Sequence, residues 1–429
     1  MSQSELFVSL DIGSSSVKCI IGEVVDQTTI HMIGVGKEKS SGIKKGSIVD
    51  IDAAGQSIRK AINQAERMLG ISVKKVVVGI PANQVALQKV KGVVAISNDN
   101  REITDEDLDR VMESAESMVG AHGHTRVELI PEQFIVDNLP EISDPRGMLG
   151  IRLEMDATVA TSPDTYLHNI VRCVERTGVE IQQIYLQPHV SGYYALTEDE
   201  KSRGTLFIDM GADTTTIGVY KDSRFTNVAM IPIGGENITK DLSIILKTSM
   251  EQAEKIKKDY GHAFYDTASD HEMFTVPIIG TDSKEQYSQR FISEIIGARV
   301  EEIFDLILDE LYAQQVEDLP GGVVITGGVA KLEGLQELAT EKLQSSVRLY
   351  TPTQIGARDP ELSGAVSLIR YAYKDSEFYN DYSEEMSIEV PEQEEPRKER
   401  KAKEYDDEEA PPKEGIVGKL KRLVNNLIE

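Results

Sequence analysis

The feature that most constrains the fold is a strand–turn–strand pattern that occurs twice, about two hundred residues apart. Residues 6–10 form an apolar run that ends at Asp11, and a short turn of glycine and serine leads into a second apolar run at 17–25. The same layout returns around Asp209. Because strand-like and helix-like patterns alternate over residues 1–374, the repeat predicts an α/β fold with two similar halves that face a cleft.

The turns of both hairpins have the chemistry of a phosphate site. Backbone N–H groups of a tight, glycine-containing turn can approach an anion closely, and Lys18 can add a positive charge. Asp11 and Asp209, each at the end of a strand, are suited to hold a hydrated Mg²⁺ through its water ligands. A glycine pair, Gly327-Gly328, allows an adenine and a ribose to lie close to the backbone. Each pattern alone is common in ordinary turns, but the three in this order predict a site for ATP and Mg²⁺.

These segments resemble the motifs of the ATPase superfamily that contains actin, the heat-shock chaperones and the sugar kinases. Residues 11–18 are similar to its first phosphate motif, residues 207–215 to its second, and residues 325–334 to its adenosine motif. The two connecting helices, at 187–189 and 360–365, are less similar. The resemblance implies an actin-like, two-lobed fold of the duplicated ribonuclease H type.

The resemblance also implies roles for single residues. Gln187 falls where a superfamily residue positions the attacking water, and Glu254 and Lys257 fall on a helix that flanks the ribose and the adenine. The sequence leaves open whether bound ATP is hydrolysed or held as a structural switch. The predicted nucleotide contacts are Asp11, Gly13, Ser14, Ser15, Ser16, Lys18, Asp209, Gly211, Ala212, Asp213, Thr214, Thr215, Gly235, Glu254, Lys257, Gly327, Gly328 and Val329.

One residue departs from the superfamily pattern: Asp213 stands where the second phosphate loop usually carries glycine. A carboxylate pointing into that loop would repel phosphate, and aspartate lacks the freedom of glycine at positive φ. We therefore expect the departure to affect nucleotide geometry and the rate of hydrolysis more than binding itself.

The order of the patterns also predicts how the chain is divided. A helix capped by Asp52 and ended by Gly70 precedes an inserted α+β unit, whose own helix starts with a capping box of Thr104 and Asp107. The predicted parts are subdomain 1A at 1–84 and 164–202, the inserted subdomain 1C at 85–163, subdomain 2A at 203–231 and 298–374, subdomain 2B at 232–297, an acidic disordered linker at 375–414, and an amphipathic helix at 415–429.

The end of the chain changes from acidic to basic. At 100° per residue, the apolar side chains of 415–429 fall in one arc of roughly 140°, with basic side chains opposite it or at its edge. This pattern is typical of a helix that lies in the surface of a membrane containing anionic lipid. The alternative is that the apolar stripe docks on the protein's own body or in a partner's groove. The predicted membrane contacts are Ile416, Val417, Lys419, Leu420, Lys421, Arg422, Leu423, Val424, Leu427 and Ile428.

Composition excludes several other classes. A net charge of −26 makes nucleic acid an unfavourable partner, because its phosphates would be repelled. Cys19 and Cys173 supply neither a disulfide framework nor a zinc signature. No apolar run reaches the ~18–20 residues that cross a bilayer, and the first residues lack the pattern of an export signal. These observations favour the reducing cytoplasm, with membrane contact confined to its surface.

With the cleft motifs and the terminal helix together, the whole chain resembles the FtsA family of bacterial cell-division proteins. Residues 42–50 are similar to a recurrent early segment of that family, and the insertion at 85–163 has the position of its characteristic subdomain. The resemblance implies an ATP-binding protein that forms filaments on the cytoplasmic face of the membrane at the division site. It also implies that the protein anchors FtsZ and recruits later division proteins. The C-terminal peptide of FtsZ would dock around 232–299, where Arg290 and Arg299 could meet its acidic residues.

Three other classes share the cleft motifs. A sugar or acid kinase needs a substrate pocket with a catalytic aspartate, which the sequence does not identify, and it has no use for a membrane helix. A chaperone ATPase needs a substrate-binding domain, for which residues 375–429 are too short and polar. A pilus-assembly actin homologue is the closest alternative, but it would not be expected to carry the terminal helix.

Overall fold

The computed structural model describes residues 5–25, 29–119, 123–316, 318–379 and 388–389. The strands are β1 Glu5–Ile12, β2 Ser16–Val24, β3 Ile30–Lys39, β4 Ile43–Lys44, β5 Ser47–Ile48, β6 Ser72–Val73, β7 Lys75–Ile80, β8 Ala86–Ala95, β9 His124–Val136, β10 Leu139–Ile142, β11 Arg152–Pro163, β12 Glu180–Leu186, β13 Thr205–Met210, β14 Thr215–Lys221, β15 Arg224–Ile231, β16 Met273–Pro277, β17 Lys284–Ser288, β18 Gly322–Thr326, β19 Val347–Leu349 and β20 Ile388–Glu389. The α-helices are α1 Ile51–Leu69, α2 Asp105–Glu116, α3 Asp164–Glu175, α4 Gln187–Ala195, α5 Glu198–Arg203, α6 Gly235–Ile245, α7 Met250–Tyr260, α8 Gln289–Ala313, α9 Leu335–Leu343 and α10 Ser363–Tyr379.

Two five-stranded sheets with the same strand order form the frame of the molecule. The first has the order β12-β7-β1-β2-β3 and the second has the order β19-β18-β13-β14-β15. In each sheet, three antiparallel strands are extended by two parallel ones. We call the parts built on these sheets lobe 1 and lobe 2. The predicted duplicated α/β architecture is confirmed.

Matching registers place the two aspartates at equivalent points of the two sheets. Asp11 pairs with Lys18 across the β1–β2 hairpin and lies beside Gly79 of the parallel strand β7. Asp209 has the same position in β13, beside Thr326 of the parallel strand β18. Both aspartates therefore lie near the carboxyl end of a central strand, which is the edge where α/β sheets bind ligands.

The cores of the two lobes are continuous. Helices α1 and α3 pack on one face of the first sheet, and α4 and α10 pack on the other. Helices α6 to α9 pack on one face of the second sheet. On the opposite face of that sheet, Phe207, Tyr220 and Val324 join the core of lobe 1. Apolar packing therefore helps to set how the lobes meet.

A separate four-stranded antiparallel sheet, in the order β10-β9-β11-β8, occupies the chain between β7 and α3. Helix α2 packs on it and buries Leu108, Val111 and Ala115. The carboxylate of Asp107 accepts hydrogen bonds from the N–H and the hydroxyl of Thr104, so this helix begins at the predicted capping residues. We call residues 86–163 the insert, and it is the small α+β unit that the sequence predicts.

Helix α1 begins earlier than the predicted cap. Its N-cap is Asp50 rather than Asp52, because Oδ1 of Asp50 accepts the N–H groups of Asp52 and Ala53 at 3.0 Å each. The backbone of Asp50 is extended (φ −147°, ψ 108°), as a capping residue requires, whereas Asp52 already lies inside the helix. Gly70 ends the helix in the left-handed conformation, as predicted.

Two helices run across predicted boundaries. Helix α8 is continuous from Gln289 to Ala313 and crosses the predicted division at 297/298, and α10 continues to Tyr379, past the predicted linker start at 375. In α8 the buried face continues through the division, so nothing interrupts the helical packing. The buried apolar residues of that face are Ile292, Ile296, Val300, Ile303, Phe304 and Ile307.

The predicted membrane helix at 415–429 lies outside the described residues, as does the predicted linker beyond Tyr379 apart from Ile388–Glu389. That short segment pairs antiparallel with β6. Within the described part of the chain, no helix is both long enough and apolar enough to span a membrane.

Candidate functional site

The two Asp-x-Gly turns have the same internal geometry. A Cβ atom on Gly13 would lie 2.9 Å from the carbonyl oxygen of Ser16, and one on Gly211 would lie 2.9 Å from the carbonyl oxygen of Thr214. The N–H of Gly211 also donates to that Thr214 oxygen at 3.0 Å. Both turns are therefore too tight for a side chain at the glycine, which explains why the sequence repeats Asp-x-Gly at these points.

A charged cluster brings together residues of the two lobes. Oδ2 of Asp11 accepts a hydrogen bond from Nζ of Lys18 at 2.8 Å, and Oδ1 accepts one from Nε2 of Gln187 at 3.2 Å. Asp209 enters from lobe 2, close enough for its charge to interact with both Asp11 and Lys18. The structure thus brings the two predicted metal-binding aspartates and the predicted phosphate-binding lysine into one site.

Desolvation shapes the charge of this cluster. The pKa of Asp209 is raised to about 6, because burial raises it more than the charge of Lys18 lowers it, and the charge of Asp11 adds a smaller increase. Burial acts to lower the pKa of Lys18, but the Asp11 carboxylate outweighs it and the net pKa is raised. The Asp209 carboxylate has no hydrogen-bond donor among the described residues. Such a carboxylate fits a cation that brings its own water ligands.

The donor set is sparse for a metal held by protein alone. Among the described residues, no group of three or more histidine, cysteine, aspartate or glutamate side chains is arranged to hold an ion. Mg²⁺ usually keeps several waters and takes only one or two carboxylates together with phosphate oxygens. Asp11 and Asp209 fit that mode of binding.

The Gly327-Gly328 turn closes against the aspartate of lobe 2. Gly327 has φ 93°, and a Cβ atom there would lie 2.4 Å from Oδ1 of Asp209 and 2.6 Å from the carbonyl oxygen of Met210. Only glycine fits, for both conformational and steric reasons. The third predicted loop therefore packs directly on the second.

The N-terminus of α6 completes the lobe 2 side of the site. Gly235 N–H donates to the carbonyl oxygen of Gly211 at 2.9 Å, and a Cβ atom on Gly235 would lie 2.9 Å from Cγ2 of Val329. Nζ of Lys257 donates to the carbonyl oxygen of Gly235 at 2.8 Å and forms an ion pair with Glu254 at 2.6 Å. The structure therefore gathers these predicted contacts around one helix end.

The lysine and glutamate of this helix end affect each other's ionisation. Burial lowers the pKa of Lys257. Burial acts to raise the pKa of Glu254, but hydrogen bonds from Lys257 and Thr239 outweigh it and hold the pKa below its usual value. A buried, ion-paired lysine next to a helix start has a fixed position and is therefore suited to orienting a polar ligand.

Asp213, the residue that departs from the superfamily pattern, forms hydrogen bonds with residues of both lobes. Its Oδ2 accepts the N–H of Lys45 from lobe 1 at 3.3 Å. The Asp213 carboxylate accepts a hydrogen bond from protonated Glu236, and this bond, together with the smaller effect of burial, raises the pKa of Glu236 to about 7. Asp213 is also not among the residues with positive φ, so this position does not require glycine. Lys45 lies in the segment 42–50 that the sequence analysis singled out, but no sequence pattern predicts its contact with Asp213 or the contact of Glu236.

Gln187 is fixed between two glycines. A Cβ atom on Gly364 would lie 2.1 Å from Nε2 of Gln187, and one on Gly79 would lie 3.4 Å from its Oε1. The side chain is thereby directed at Asp11, at the start of α4. This position is compatible with the role that the resemblance implies for Gln187, which is to position a water molecule close to the phosphates.

A second charged cluster, which the sequence analysis missed, links lobe 1 to lobe 2. Glu361 accepts a hydrogen bond from Lys37 of lobe 1 and another from Nζ of Lys331 of lobe 2, the latter at 3.1 Å. Lys331 also pairs with Asp359 at 2.7 Å. Burial acts to raise the pKa of Glu361, but the two lysines outweigh it and lower the pKa to about 2.

This ion cluster predicts acid sensitivity. Because the folded pKa of Glu361 is about 2 and its ordinary value is 4.5, its stabilising effect is complete above 4.5 and is lost as the pH falls towards 2. We expect Glu361→Gln to lower the free energy of unfolding by about 2 kcal/mol at pH 7 but to have little effect near pH 2. Urea unfolding across this range would measure the difference. Glu333→Gln, at an exposed glutamate, is the control, and equal effects of the two substitutions at pH 7 would contradict the assignment.

The two arginines predicted to meet a partner peptide lie on opposite sides of α8. They are nine residues apart, which corresponds to about 180° around a helix. Arg299 forms a two-point contact with Asp241, at 2.6 and 3.1 Å. Arg290 instead pairs with Asp270 and lies 4.1 Å from the ring centre of Tyr265. The structure therefore does not bring Arg290 and Arg299 together.

Arg299 lines a groove of about 370 Å³ between α6 and α8. Its apolar wall includes Ile244, which is 63% exposed, and Ile245, which is 46% exposed. Exposed isoleucines beside a charged rim are typical of a surface that binds a peptide. The residues of the groove are Asp241, Ile244, Ile245, Ile295, Ala298, Arg299 and Glu302.

Comparison with known proteins identifies close relatives. The family described as "Cell division protein FtsA" matches residues 206–367, and the family described as "SHS2 domain inserted in FTSA" matches residues 82–161. The cell division protein FtsA of Bacillus subtilis is 49% identical over 376 residues, which cover 88% of this chain and 85% of the relative. The protein of the same name from Enterococcus hirae is 40% identical over 379 residues, covering 88% and 86%.

Solved structures show a similar fold at low sequence identity. A PilM–PilN type IV pilus biogenesis complex aligns with a TM-score of 0.57 and 17% identity, covering 85% of this chain and 97% of that chain. MreB5 of Spiroplasma citri bound to ADP aligns with a TM-score of 0.54 and 13% identity, covering 88% and 99%. These similarities confirm the predicted actin-like fold.

Proposed function

The chain belongs to the FtsA family of cell division proteins, and on that basis we propose that it binds ATP with Mg²⁺ in its cleft and forms filaments on the membrane. In this proposal it anchors FtsZ at the cytoplasmic face of the division site and recruits later division proteins. The observation that carries it is that Asp11, Lys18 and Asp209, from two separate hairpins, lie together at one site.

In this proposal, different residues of the site bind different parts of the nucleotide. Lys18 and the backbone N–H groups of the two glycine turns bind the phosphates, while Asp11 and Asp209 hold the waters of Mg²⁺. Mg²⁺ would neutralise the phosphate charge next to these carboxylates. Gly327 and Gly328 leave room for the adenosine, with Glu254 and Lys257 beside it. Gln187, fixed against Asp11, would orient a water molecule if ATP is hydrolysed.

Assembly would strengthen a weak membrane anchor. A buried aliphatic side chain contributes ~1.5–3 kcal/mol and a basic residue near anionic lipid about 1 kcal/mol, but insertion is partial and ordering the backbone costs ~1–2 kcal/mol per residue. One terminal helix would thus bind reversibly. Several helices on one filament would bind much more tightly through their effective concentration.

The groove at Arg299 is the proposed dock for the C-terminal peptide of FtsZ. Its isoleucines can take apolar side chains of the peptide, and Arg299 can meet a carboxylate by exchanging it for that of Asp241. Arg290 lies on the opposite side of the helix, already paired with Asp270, and is not part of this groove. The pilus-assembly alternative rests on similarity of fold alone, whereas the sequence identity is to FtsA.

Sedimentation with liposomes that contain anionic lipid tests the membrane part of the proposal. With Mg-ATP, we expect the full chain to sediment and Leu423→Glu, or a truncation after Lys413, to reduce the bound fraction about tenfold. Asn425→Glu adds the same charge to the polar side of the predicted helix and should have a much smaller effect. Equal sedimentation of all four proteins would refute the anchor. Equal sedimentation of the full chain with and without ATP would refute its coupling to assembly.

A further inference from the structure

One buried carboxylate of the insert bonds to the helix that presents Gln187. Glu128, on β9, is 5% exposed, and His189, in the first turn of α4, is 3% exposed. Oε1 of Glu128 lies 2.9 Å from Nδ1 of His189, and Oε2 accepts the N–H of Leu186 at 2.9 Å. Both oxygens of a single carboxylate are thus used on one helix start, within an interior where an unpaired carboxylate would be costly.

The two hydrogen bonds of Glu128 act as an N-terminal cap of α4, although Glu128 comes from another part of the chain. Leu186 is the N-cap of α4 and has no side-chain oxygen, so it cannot cap the helix itself. In a capping box, a glutamate at the third helical position reaches back to the N-cap N–H. Here that position holds His189, and Glu128 supplies the missing carboxylate from the insert. A negative charge at this end also interacts favourably with the helix dipole.

The capped turn is the one that carries Gln187. Gln187 follows the N-cap directly, and its Nε2 donates to Asp11 in the cleft at 3.2 Å. Lobe 2 also contacts this helix through Tyr220. The Tyr220 hydroxyl donates to the carbonyl oxygen of His189, and the Tyr220 ring packs so closely on Gly192 that a Cβ atom there would lie 2.6 Å from it. The start of α4 therefore touches the insert, lobe 1 and lobe 2.

We propose that Glu128 is a positioning residue of the nucleotide site. It fixes the first turn of α4, so Gln187 stays aligned with Asp11, and it makes the geometry of the cleft depend on the position of the insert. The inference rests on the proposed nucleotide binding and adds that the insert and the cleft are linked by one buried carboxylate. A partner that shifts β9 would change nucleotide affinity through this contact.

The strand offers a matched control. Glu132, also on β9, has a side chain that is 7% exposed and pairs with Arg224 of lobe 2 at 3.2 Å, and it accepts the hydroxyl of Thr158 at 2.7 Å. Its hydrogen bonds and its ion pair do not involve α4. Glu132→Ala therefore removes an equally buried carboxylate from the same strand without touching the cap.

The test is Mg-ATP affinity of the full chain, measured by calorimetry. We expect Glu128→Ala to weaken binding about tenfold, or ~1.4 kcal/mol, and Glu128→Gln to retain most of the affinity because its amide oxygen still accepts the Leu186 N–H. In a Gln187→Ala background, Glu128→Ala should have no further effect, because both act on the same contact. Equal losses from Glu128→Ala and Glu132→Ala, or fully additive effects with Gln187→Ala, would overturn the inference.

Hydrogen exchange supplies a readout that does not need nucleotide. Glu128→Ala should speed exchange of the Leu186 amide about tenfold, whereas Glu132→Ala should leave it unchanged. Unaltered exchange at Leu186 would also overturn the inference. Failure of the unaltered chain to bind Mg-ATP would overturn the proposed function and the nucleotide part of this inference, but the exchange result would still decide whether Glu128 holds α4.

Discussion

Substitution of Asp209 by asparagine is expected to lower the affinity for Mg-ATP about 100-fold. The variant keeps the size of the side chain but removes the charge that would hold the waters of Mg²⁺. Interactions of a charged group with hydrogen-bond partners contribute ~1.5–3 kcal/mol each, and 1.4 kcal/mol corresponds to a factor of ten. Calorimetry with Mg-ATP measures the change directly.

The same substitution is expected to leave the nucleotide-free protein as stable as before, or more so. Burial is the main reason why the pKa of Asp209 is raised from 3.8 to about 6. The ionised carboxylate therefore destabilises the folded state, and this cost increases from pH 3.8 to pH 6 and reaches its full value above pH 6. Thermal unfolding at pH 7 should therefore show no loss of stability. Asp213→Asn, in the same loop but paired with Lys45 and Glu236, is the control and should change affinity less than about threefold. Mg-ATP binding unchanged in Asp209→Asn would refute the assignment.

Substitution of Gly36 by alanine is expected to destabilise lobe 1 by about 3 kcal/mol. Gly36 lies in β3, where a Cβ atom would be 1.9 Å from the carbonyl oxygen of Ala61 and 3.0 Å from the backbone nitrogen of Ala65 in α1. These are backbone atoms, so α1 would have to move away from the sheet. Chemical unfolding, followed by circular dichroism, would measure the loss.

Gly55 provides the control for this prediction, because it lies in α1 itself. A Cβ atom there would lie 3.5 Å from the carbonyl oxygen of Cys173, an ordinary contact. Gly55→Ala should stabilise the protein by about 0.5–1 kcal/mol, since alanine favours a helix over glycine. Equal effects of the two substitutions would show that β3 and α1 are not in close contact.

The parts of the structure that sequence reasoning predicted have local causes. The hairpins at Asp11 and Asp209 follow from apolar runs around a glycine turn, and the start of α2 follows from the spacing of Thr104 and Asp107. Each of these signals lies within a few residues of the chain. Asp50 rather than Asp52 caps α1 because its backbone is extended. The sequence does not show which of two aspartates, two residues apart, has that conformation.

The missed residues depend on partners far along the chain. Glu361 and Lys37 are 324 residues apart, and Glu128 and His189 are 61 apart. In a chain that is 28% charged, such residues carry no pattern that predicts their pairing. The opposite placement of Arg290 and Arg299 follows from their spacing, because nine residues of helix correspond to about 180° of rotation. Their contact with the FtsZ peptide stays a prediction.

The continuity of α8 has a mechanical consequence. The helix is about 37 Å long, at 1.5 Å per residue, and the groove at Arg299 opens on its middle portion while Val300, Ile303 and Ile307 embed its later turns in lobe 2. The helix is therefore continuous across the predicted subdomain division at 297/298. A force applied to the protein at the groove would therefore be transmitted along α8 into lobe 2. Several buried side chains of the helix would share it, since no loop interrupts the helix.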